Sequence, residues 1–302
     1  QLLLVLRKQS LRSLKAKRLI DIGPYFRRVS NNLNFELTNA QKNVVQEVHL
    51  DMKHNYPMNR LIQGDVGSGK TIVAILISAL AIGNNVQVAI MVPTEILARQ
   101  HFYSFKEHLE KVNIECALLI GKMKKSERKS INEAIKNGNI DVVIGTHALI
   151  QDDIFFKELG LVIIDEQHRF GVNQRSALLD KGNNPHFMSM TATPIPRTLS
   201  ITYHGDMDLS IIDELPAHRI PVVTKVVEPN RMNKVYNFIR NEVSLGKQCI
   251  VVYPLVEESE KLDLAAAVEA YNELSSIQFS TLEVGLVHGK MNSEEKTKII
   301  RK

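Results

Sequence analysis

The sequence predicts an α/β fold in which parallel sheets are covered by helices on both faces. Three observations predict it. From Asn59 on, short continuous apolar runs alternate with longer stretches of helical periodicity. A glycine-rich loop, Gly64 to Gly69, joins one such run to one such helix. A second block with the same strand–helix rhythm follows Leu215-Pro216. Strands that are apolar throughout are buried on both faces, which is the situation of a parallel sheet between its crossover helices.

The elements follow in order. The first 30 residues read as one basic amphipathic helix and a turn. Leu3, Leu6, Leu11, Leu14 and Leu19 lie near one face, and Arg7, Lys8, Arg12, Lys15, Lys17 and Arg18 mostly cover the rest. Asp21-Ile22-Gly23-Pro24 is expected to stop that helix. A solvated linker accounts for it, and contact with a nucleic-acid backbone is the sharper alternative. Strand-like runs are Arg60–Gln63, Val86–Val92, Glu115–Ile120, Asp141–Ile144, Leu161–Ile164 and Phe187–Met190. Helix-like stretches between them are Lys70–Ile82, Glu95–Lys111, Ser126–Asn137 and Asn173–Asp180. In the second block the expected strands are Val222–Val227, Gln248–Val252 and Val284–Val287. The expected helices there are Arg231–Leu245, Ser259–Leu274 and Ser293–Arg301.

Composition narrows the function classes. The chain has 302 residues, 44% of them hydrophobic, enough for two domains with cores of their own. No apolar run reaches the roughly 18–20 residues that span a bilayer. Gln1–Leu6 lacks the basic region and small-residue cleavage site of a signal peptide. Cys116 and Cys249 are the two cysteines, each in a strand-like run. They read as buried, reduced thiols of a cytoplasmic protein, neither a metal site nor a disulfide framework. A formal net charge of +5 suits a nucleic-acid partner without establishing one. Trp is absent and aromatics are 6%, so no stacking platform for single-stranded bases is evident.

Gly64-Asp65-Val66-Gly67-Ser68-Gly69-Lys70-Thr71 fits G-x-x-x-x-G-K-[ST], with a strand pattern running in and a helix pattern running out. Glycines let the backbone turn tightly and aim its N–H groups at phosphate oxygens. The helix N-terminus adds its positive dipole end. Lys70 would place a charge on the β and γ phosphates of ATP, and the Thr71 hydroxyl would ligate Mg²⁺. Leu161–Ile164 then ends in Asp165-Glu166-Gln167-His168. An acid at the carboxyl end of a strand sits beside the phosphate loop. Asp165 would hold Mg²⁺, and Glu166 would orient and deprotonate the attacking water. His168 would sense the γ-phosphate and couple to the next segment.

Three further stretches separate the chain from other phosphate-loop enzymes. They are Met91 to Gln100, Ile144-Gly145-Thr146-His147 and Ser189-Met190-Thr191-Ala192-Thr193-Pro194. Each puts hydroxyls or free N–H groups at a strand's carboxyl end, suited to backbone phosphate without reading sequence. Thr94, Arg99 and Thr146 are the candidate DNA contacts. A small-molecule kinase would need neither these segments nor a second lobe. A nucleotide-dependent binding switch would show no DNA-stimulated turnover.

Together and in this order these segments resemble superfamily two helicases. The resemblance makes Thr191-Ala192-Thr193 the segment that couples hydrolysis to strand movement, with Thr191 and Thr193 as its hydroxyls. It makes Asp165–His168 a DEQH box, which speaks against an RNA helicase. It also makes Phe35 to Gln41 an adenine-reading segment, with Gln41 on the adenine edge and Phe35 stacked nearby. Residues alone would give Thr38 as a plain helix N-cap. Thr193-Pro194-Ile195-Pro196-Arg197-Thr198-Leu199 is similar to a segment shared by the RecG helicases and the transcription-repair coupling factor. Gly67-Ser68-Gly69, Asp213-Glu214-Leu215-Pro216 and Arg219-Ile220-Pro221 resemble the former.

What the RecG resemblance implies is an ATP-dependent motor that remodels branched DNA, such as stalled forks and Holliday junctions, in repair and recombination. A coupling-factor-like duplex translocase is the alternative. Residues 1–32 would be a linker helix from an absent wedge domain. Residues 33–216 would be a first RecA-like lobe that binds ATP, and 217–302 a second, truncated RecA-like lobe. After Val287-His288-Gly289-Lys290-Met291 the segment bearing an arginine finger is expected beyond Lys302, so the piece by itself is expected to turn over negligibly. The missing wedge domain and the rest of the second lobe would be its partners, along with DNA.

Overall fold

A computed structural model describes residues 9–193, 207–216, 222–253, 260–289, 291 and 293–300. The chain divides into two compact units, Gln1–Arg219 and Ile220–Lys302.

The first unit is built on a seven-stranded sheet. Its strands are β1 (Asn59–Gly64), β2 (Gln87–Met91), β3 (Cys116–Leu119), β4 (Val142–Gly145), β5 (Leu159–Asp165), β6 (His186–Thr191) and β7 (Asp208–Ile212). They lie in the order β3-β4-β2-β5-β6-β1-β7, and every neighbouring pair is parallel. Alternate residues of one strand feed two separate cores. Val88, Ile90, Leu161 and Ile163 pack in one, and Ala89, Met91, Val162 and Ile164 pack in the other. This is the physical content of the unbroken apolar runs: both faces of the pleat are covered. Each buried Val, Leu, Ile or Met among them contributes roughly 1.5–3 kcal/mol relative to an exposed one.

The helices of this unit are α1 (Gly23–Asn31), α2 (Asn39–Met52), α3 (Lys70–Gly83), α4 (Glu95–Leu109), α5 (Lys125–Asn137) and α6 (Val172–Leu179). Helix α3 is buried from Ile72 through Ile82, with α1 and α2 packed against it. A helix that is apolar all round needs cover all round.

The N-terminal segment corrects one expectation. Helix is described only for residues 9–13, and residues 15–22 form no regular secondary structure. Ala16 N–H donates to Asn55 O (2.9 Å) and Leu19 N–H to Met52 O (2.8 Å). His186 Nε2 donates to Lys17 O (2.8 Å). Leu19 is fully buried. These tertiary bonds outweigh helical periodicity, which carries no information about a docking partner. Asp21–Pro24 does not stop the N-terminal helix, which is described no further than residue 13; Gly23-Pro24 instead opens α1, where a proline in the first turn gives up no helical N–H bond. Strand β7 is the element that the sequence did not announce. It is an edge strand with one neighbour and a broken burial pattern.

The second unit has helices α7 (Met232–Ser244), α8 (Glu260–Glu273) running into a π-turn at Leu274–Gln278, and α9 (Ser293–Ile300). Leu274 and Phe279 are buried, with Tyr236 edge-on to Phe279 at 5.7 Å and Arg240 5.8 Å from its ring centre. The strands expected at 222–227, 248–252 and 284–287 are not formed among the described residues. β-Branched composition expresses suitability for a sheet and does not supply the neighbour that a strand must bond to. Val226 is 98% exposed. Cys249 lies in one of these runs and is exposed, against the expectation of a buried thiol, whereas Cys116 is half-buried on β3. Burial, with Asp141 and Glu115 nearby, pushes the Cys116 thiol up to about 12. No described helix is long and apolar enough to cross a membrane.

Candidate functional site

Parallel strands deliver all their carboxyl ends to one edge of the sheet, where open α/β sheets bind ligands. Here β6 lies between β1, which feeds the phosphate loop, and β5, which feeds the acidic pair. The sheet order therefore sets Thr191, the last residue of β6, between the two.

The phosphate loop is shaped by its glycines. Gly67 and Gly69 have φ of +78° and +87°, which other residues adopt only under strain. A Cβ on Gly69 would fall 2.2 Å from Gln41 Nε2, and one on Gly64 would fall 2.5 Å from Ser68 Oγ. Lys70 Nζ donates to Gly64 O (2.7 Å) and Asp65 O (3.0 Å), and Val66 N–H donates to Asp65 Oδ1 (2.7 Å). Ser68 Oγ is buried with no partner among the described residues. Thr71 follows Lys70 in the first turn of α3.

Gln41 is tied down at both ends of its amide. Oε1 accepts from Thr38 N–H (3.0 Å) while Nε2 donates to Ser68 O (2.8 Å). Thr38 Oγ1 accepts from Gln41 N–H (3.2 Å), which completes a capping box. The plain N-cap reading of Thr38 is what these bonds show, and they also tie Gln41 to the phosphate loop. Gln41 is itself 2% exposed. Phe35 is 43% exposed beside this helix start. Glu214, in the Asp213–Pro216 segment, accepts from Ala40 N–H (3.2 Å) and caps the same helix from 174 residues away.

Asp165 ends β5, and both of its carboxylate oxygens are engaged. Oδ1 accepts from Glu166 N–H (3.1 Å), and Oδ2 lies 3.0 Å from His101 Nε2. Glu166 has left-handed backbone angles, φ 52° and ψ 54°. Its N–H donates to Met190 O (2.9 Å). Its Oε1 accepts from Ala192 N–H (3.2 Å) and its Oε2 from the Thr191 hydroxyl (3.3 Å). His168 Nδ1 is 3.3 Å from Glu166 Oε2. The Thr193 and Thr191 hydroxyls are 2.8 Å apart. The structure thus brings Glu166, Thr191 and Thr193 into one hydrogen-bonded group with the His168 ring against it, while 194–199 lie outside the described residues.

These donors fit a nucleoside triphosphate and a hard cation. A glycine-lined turn, a helix N-terminus and Lys70 suit phosphates. One hydroxyl and one carboxylate are a common protein share of a Mg²⁺ shell, the rest being water and phosphate oxygen. His101 is the participant that sequence reasoning missed. A signal existed, because His101 interrupts the core-facing series Ala98, Phe105, Leu109 of α4.

Of the candidate strand contacts, Thr94 and Arg99 are exposed. Thr94 caps α4 by accepting from Leu97 N–H (3.3 Å). Thr146 departs from expectation, being 2% exposed. Its N–H donates to Leu119 O (3.3 Å), which prolongs the β3–β4 pairing and keeps it below the surface. His147 beside it is exposed, as are Lys122, Lys124 and Lys125. A Cβ on Gly121 would lie 3.6 Å from Glu95 Oε1 and 4.0 Å from His147 Nε2, so the loops after β2, β3 and β4 meet there. Three lysines within four residues after a strand were the available signal for this patch.

Residues 38–201 match the DEAD/DEAH box helicase family model. The chain is 49% identical over 302 residues to the ATP-dependent DNA helicase RecG of Aquifex aeolicus, covering 99% of this chain and 38% of that protein. It is 52% identical over 273 residues to the protein of the same name from Thermotoga maritima, covering 89% and 34%. The chain thus spans well under half the length of these curated relatives. Among solved structures, RecG bound to a three-way DNA junction superposes with a TM-score of 0.79 at 42% identity, over 99% of this chain and 40% of that one. The DUF1998 helicase MrfA bound to DNA, at 18% identity and a TM-score of 0.64, shares the fold.

Proposed function

The chain belongs to the DEAD/DEAH box helicases and, among them, to the RecG family, and from that premise we propose that it is the ATP-hydrolysing part of a motor that remodels branched DNA. The observation that carries the proposal is the junction at a strand end beside the phosphate loop, where Glu166 is hydrogen-bonded to Thr191 and Ala192 and lies 3.3 Å from His168. RecG relatives act as ATP-dependent DNA helicases by name, and one is seen on a three-way junction. Forks and Holliday junctions in repair and recombination are the proposed substrates.

In the proposed chemistry the loop N–H groups and Lys70 hold the β and γ phosphates of ATP, with Gln41 and Phe35 beside the base. Thr71 and Asp165 would hold Mg²⁺, which when bound neutralises charge on the phosphate oxygens. Glu166 accepts a proton from the attacking water as the water oxygen bonds to the γ-phosphorus. The bond from that phosphorus to the bridging oxygen breaks, and ADP leaves. The carboxylate is held for this by Ala192 N–H and the Thr191 hydroxyl, and the hydroxyl is in turn tied to Thr193. Movement of the Thr191–Thr193 segment therefore reaches the base directly. Thr94, Arg99, His147 and the Lys122–Lys125 loop supply the backbone-phosphate track.

The test is steady-state ATPase of the full-length protein with forked DNA, linear duplex, single strand and RNA. Forked DNA should stimulate most. Glu166→Gln should bind nucleotide with Mg²⁺ and turn over at least ~100-fold more slowly, the general-base contribution. Asp165→Asn should instead lose the Mg²⁺-dependent part of binding. Identical binding defects in the two variants, or no stimulation by any DNA, would remove the proposal.

A further inference from the structure

We propose that His101 is a positioning residue for the metal-binding carboxylate, fixing Asp165 from the helix whose first turn faces the DNA track. The inference rests on the nucleotide-site reading above and adds to it a residue from outside the phosphate loop and the acidic pair.

His101 sits in the middle of α4 and is 6% exposed. Its Nε2 is 3.0 Å from Asp165 Oδ2. An ionised carboxylate accepts only, so the proton of this bond belongs to Nε2. The other oxygen, Oδ1, takes Glu166 N–H (3.1 Å). Glu166 N–H is shared, its shorter bond going to Met190 O (2.9 Å), so His101 is the side chain that holds the carboxylate from outside its own turn. Each oxygen has two lone-pair directions, so one remains on each for a cation. His101 Nδ1 is buried and has no partner among the described residues. The Asp165 bond is therefore the polar contact described for a buried imidazole, and a purely structural site would better hold an apolar residue.

The element that carries His101 makes the contact more than local. Ala98, Phe105 and Leu109 are fully buried on the same face of α4, so the helix moves as a unit. Thr94, its N-cap, lies seven residues before His101, two turns and about 10 Å along the axis. A shift of the first turn against a DNA strand is transmitted to the carboxylate through one rigid helix. Groups that hydrogen-bond a metal's own ligands typically change metal affinity when altered.

The experiment is fluorescent-nucleotide binding to the full-length protein titrated with Mg²⁺, with His101→Asn and His101→Gln. Glutamine sets its amide nitrogen where histidine has Nε2, whereas asparagine is polar but too short. His101→Asn should raise the Mg²⁺ needed for half-maximal binding by ~10–100-fold. His101→Gln should remain within about threefold of the parent, and nucleotide binding without Mg²⁺ should be unchanged in both. In an Asp165→Asn background the two variants should be indistinguishable. An unchanged Mg²⁺ requirement in His101→Asn overturns the inference, as do equal shifts in both variants or an equal loss without Mg²⁺. Lys70→Ala separates the levels. If it loses nucleotide binding while His101→Asn binds normally, His101 alone has been misassigned. If Lys70→Ala binds normally, the site reading fails and takes the inference with it.

Discussion

Glu166 is held in a backbone region that costs a non-glycine residue about 1–3 kcal/mol, and hydrogen bonds from both its backbone and its carboxylate hold it there. Its N–H reaches Met190 O, and its carboxylate takes Ala192 N–H and the Thr191 hydroxyl. The strained turn aims a carboxylate that a regular strand end would point elsewhere. His186 shows a different device. Its Nδ1 accepts from Met58 N–H (3.0 Å) and its Nε2 donates to Lys17 O (2.8 Å), so the ring must be neutral. Burial lowers its pKa from the ordinary 6.5. The unfolded chain thus takes up a proton near 6.5 that the folded chain resists. The stabilisation is present above 6.5 and is lost as pH falls through the lowered folded value. Denaturant midpoints between pH 7.5 and 5.5 should therefore fall more in the parent than in His186→Gln. Parallel slopes would mean that His186 is not the group responsible.

At the scale of elements, α4 carries the proposed strand contacts Thr94 and Arg99 on its exposed start and sets His101 against Asp165 in its middle. If Arg99 meets backbone phosphate, Arg99→Ala should weaken DNA binding evenly across sequences and reduce the salt slope of log K by about one. Binding isotherms at several salt concentrations on two unrelated sequences measure both. A loss confined to one sequence would argue for base contact instead. Strands β2, β4, β5 and β6 were legible because each is buried on both faces, and β3 and β1 because apolar residues mark them beside a helix pattern or the phosphate loop. Strand β7 was not, because Asp208 and Ser210 break its apolar pattern and three of its five residues are not buried. The phosphate loop and the acidic pair were legible because their chemistry fixes residue type and spacing along the chain. His101 was not, because its partner is 64 residues away and only folding makes them neighbours. The same holds for Glu214 on α2, and for residues 15–22, whose docking bonds are all tertiary. Thr146 shows the converse limit, since a threonine at a strand end looks the same in sequence whether its hydroxyl faces solvent or the core.

For the whole molecule, the two units differ in how their backbone is satisfied. In the first, β2, β5 and β6 have a hydrogen-bonded neighbour on each side and apolar cover on both faces. In the second, the runs at 222–227 and 248–252 are not paired as strands. Val222, Val223, Val226, Ile250 and Val252 are all more than three-quarters exposed. An amide without a protein acceptor exchanges with water without waiting for an opening event, whereas an amide in a central strand waits for sub-global or global unfolding. Hydrogen exchange on residues 1–302, read by mass spectrometry, should therefore separate the units. Peptides from β2, β5 and β6 should remain protected for hours, and those covering 222–228 and 247–253 should exchange within seconds. Helix α7 should fall between, since its own bonds protect it while no residue of it is buried. Protection of 222–228 equal to that of β2 would mean that these β-branched runs find strand neighbours in solution. In that case the second unit, by itself, would already contain the sheet that its composition invites.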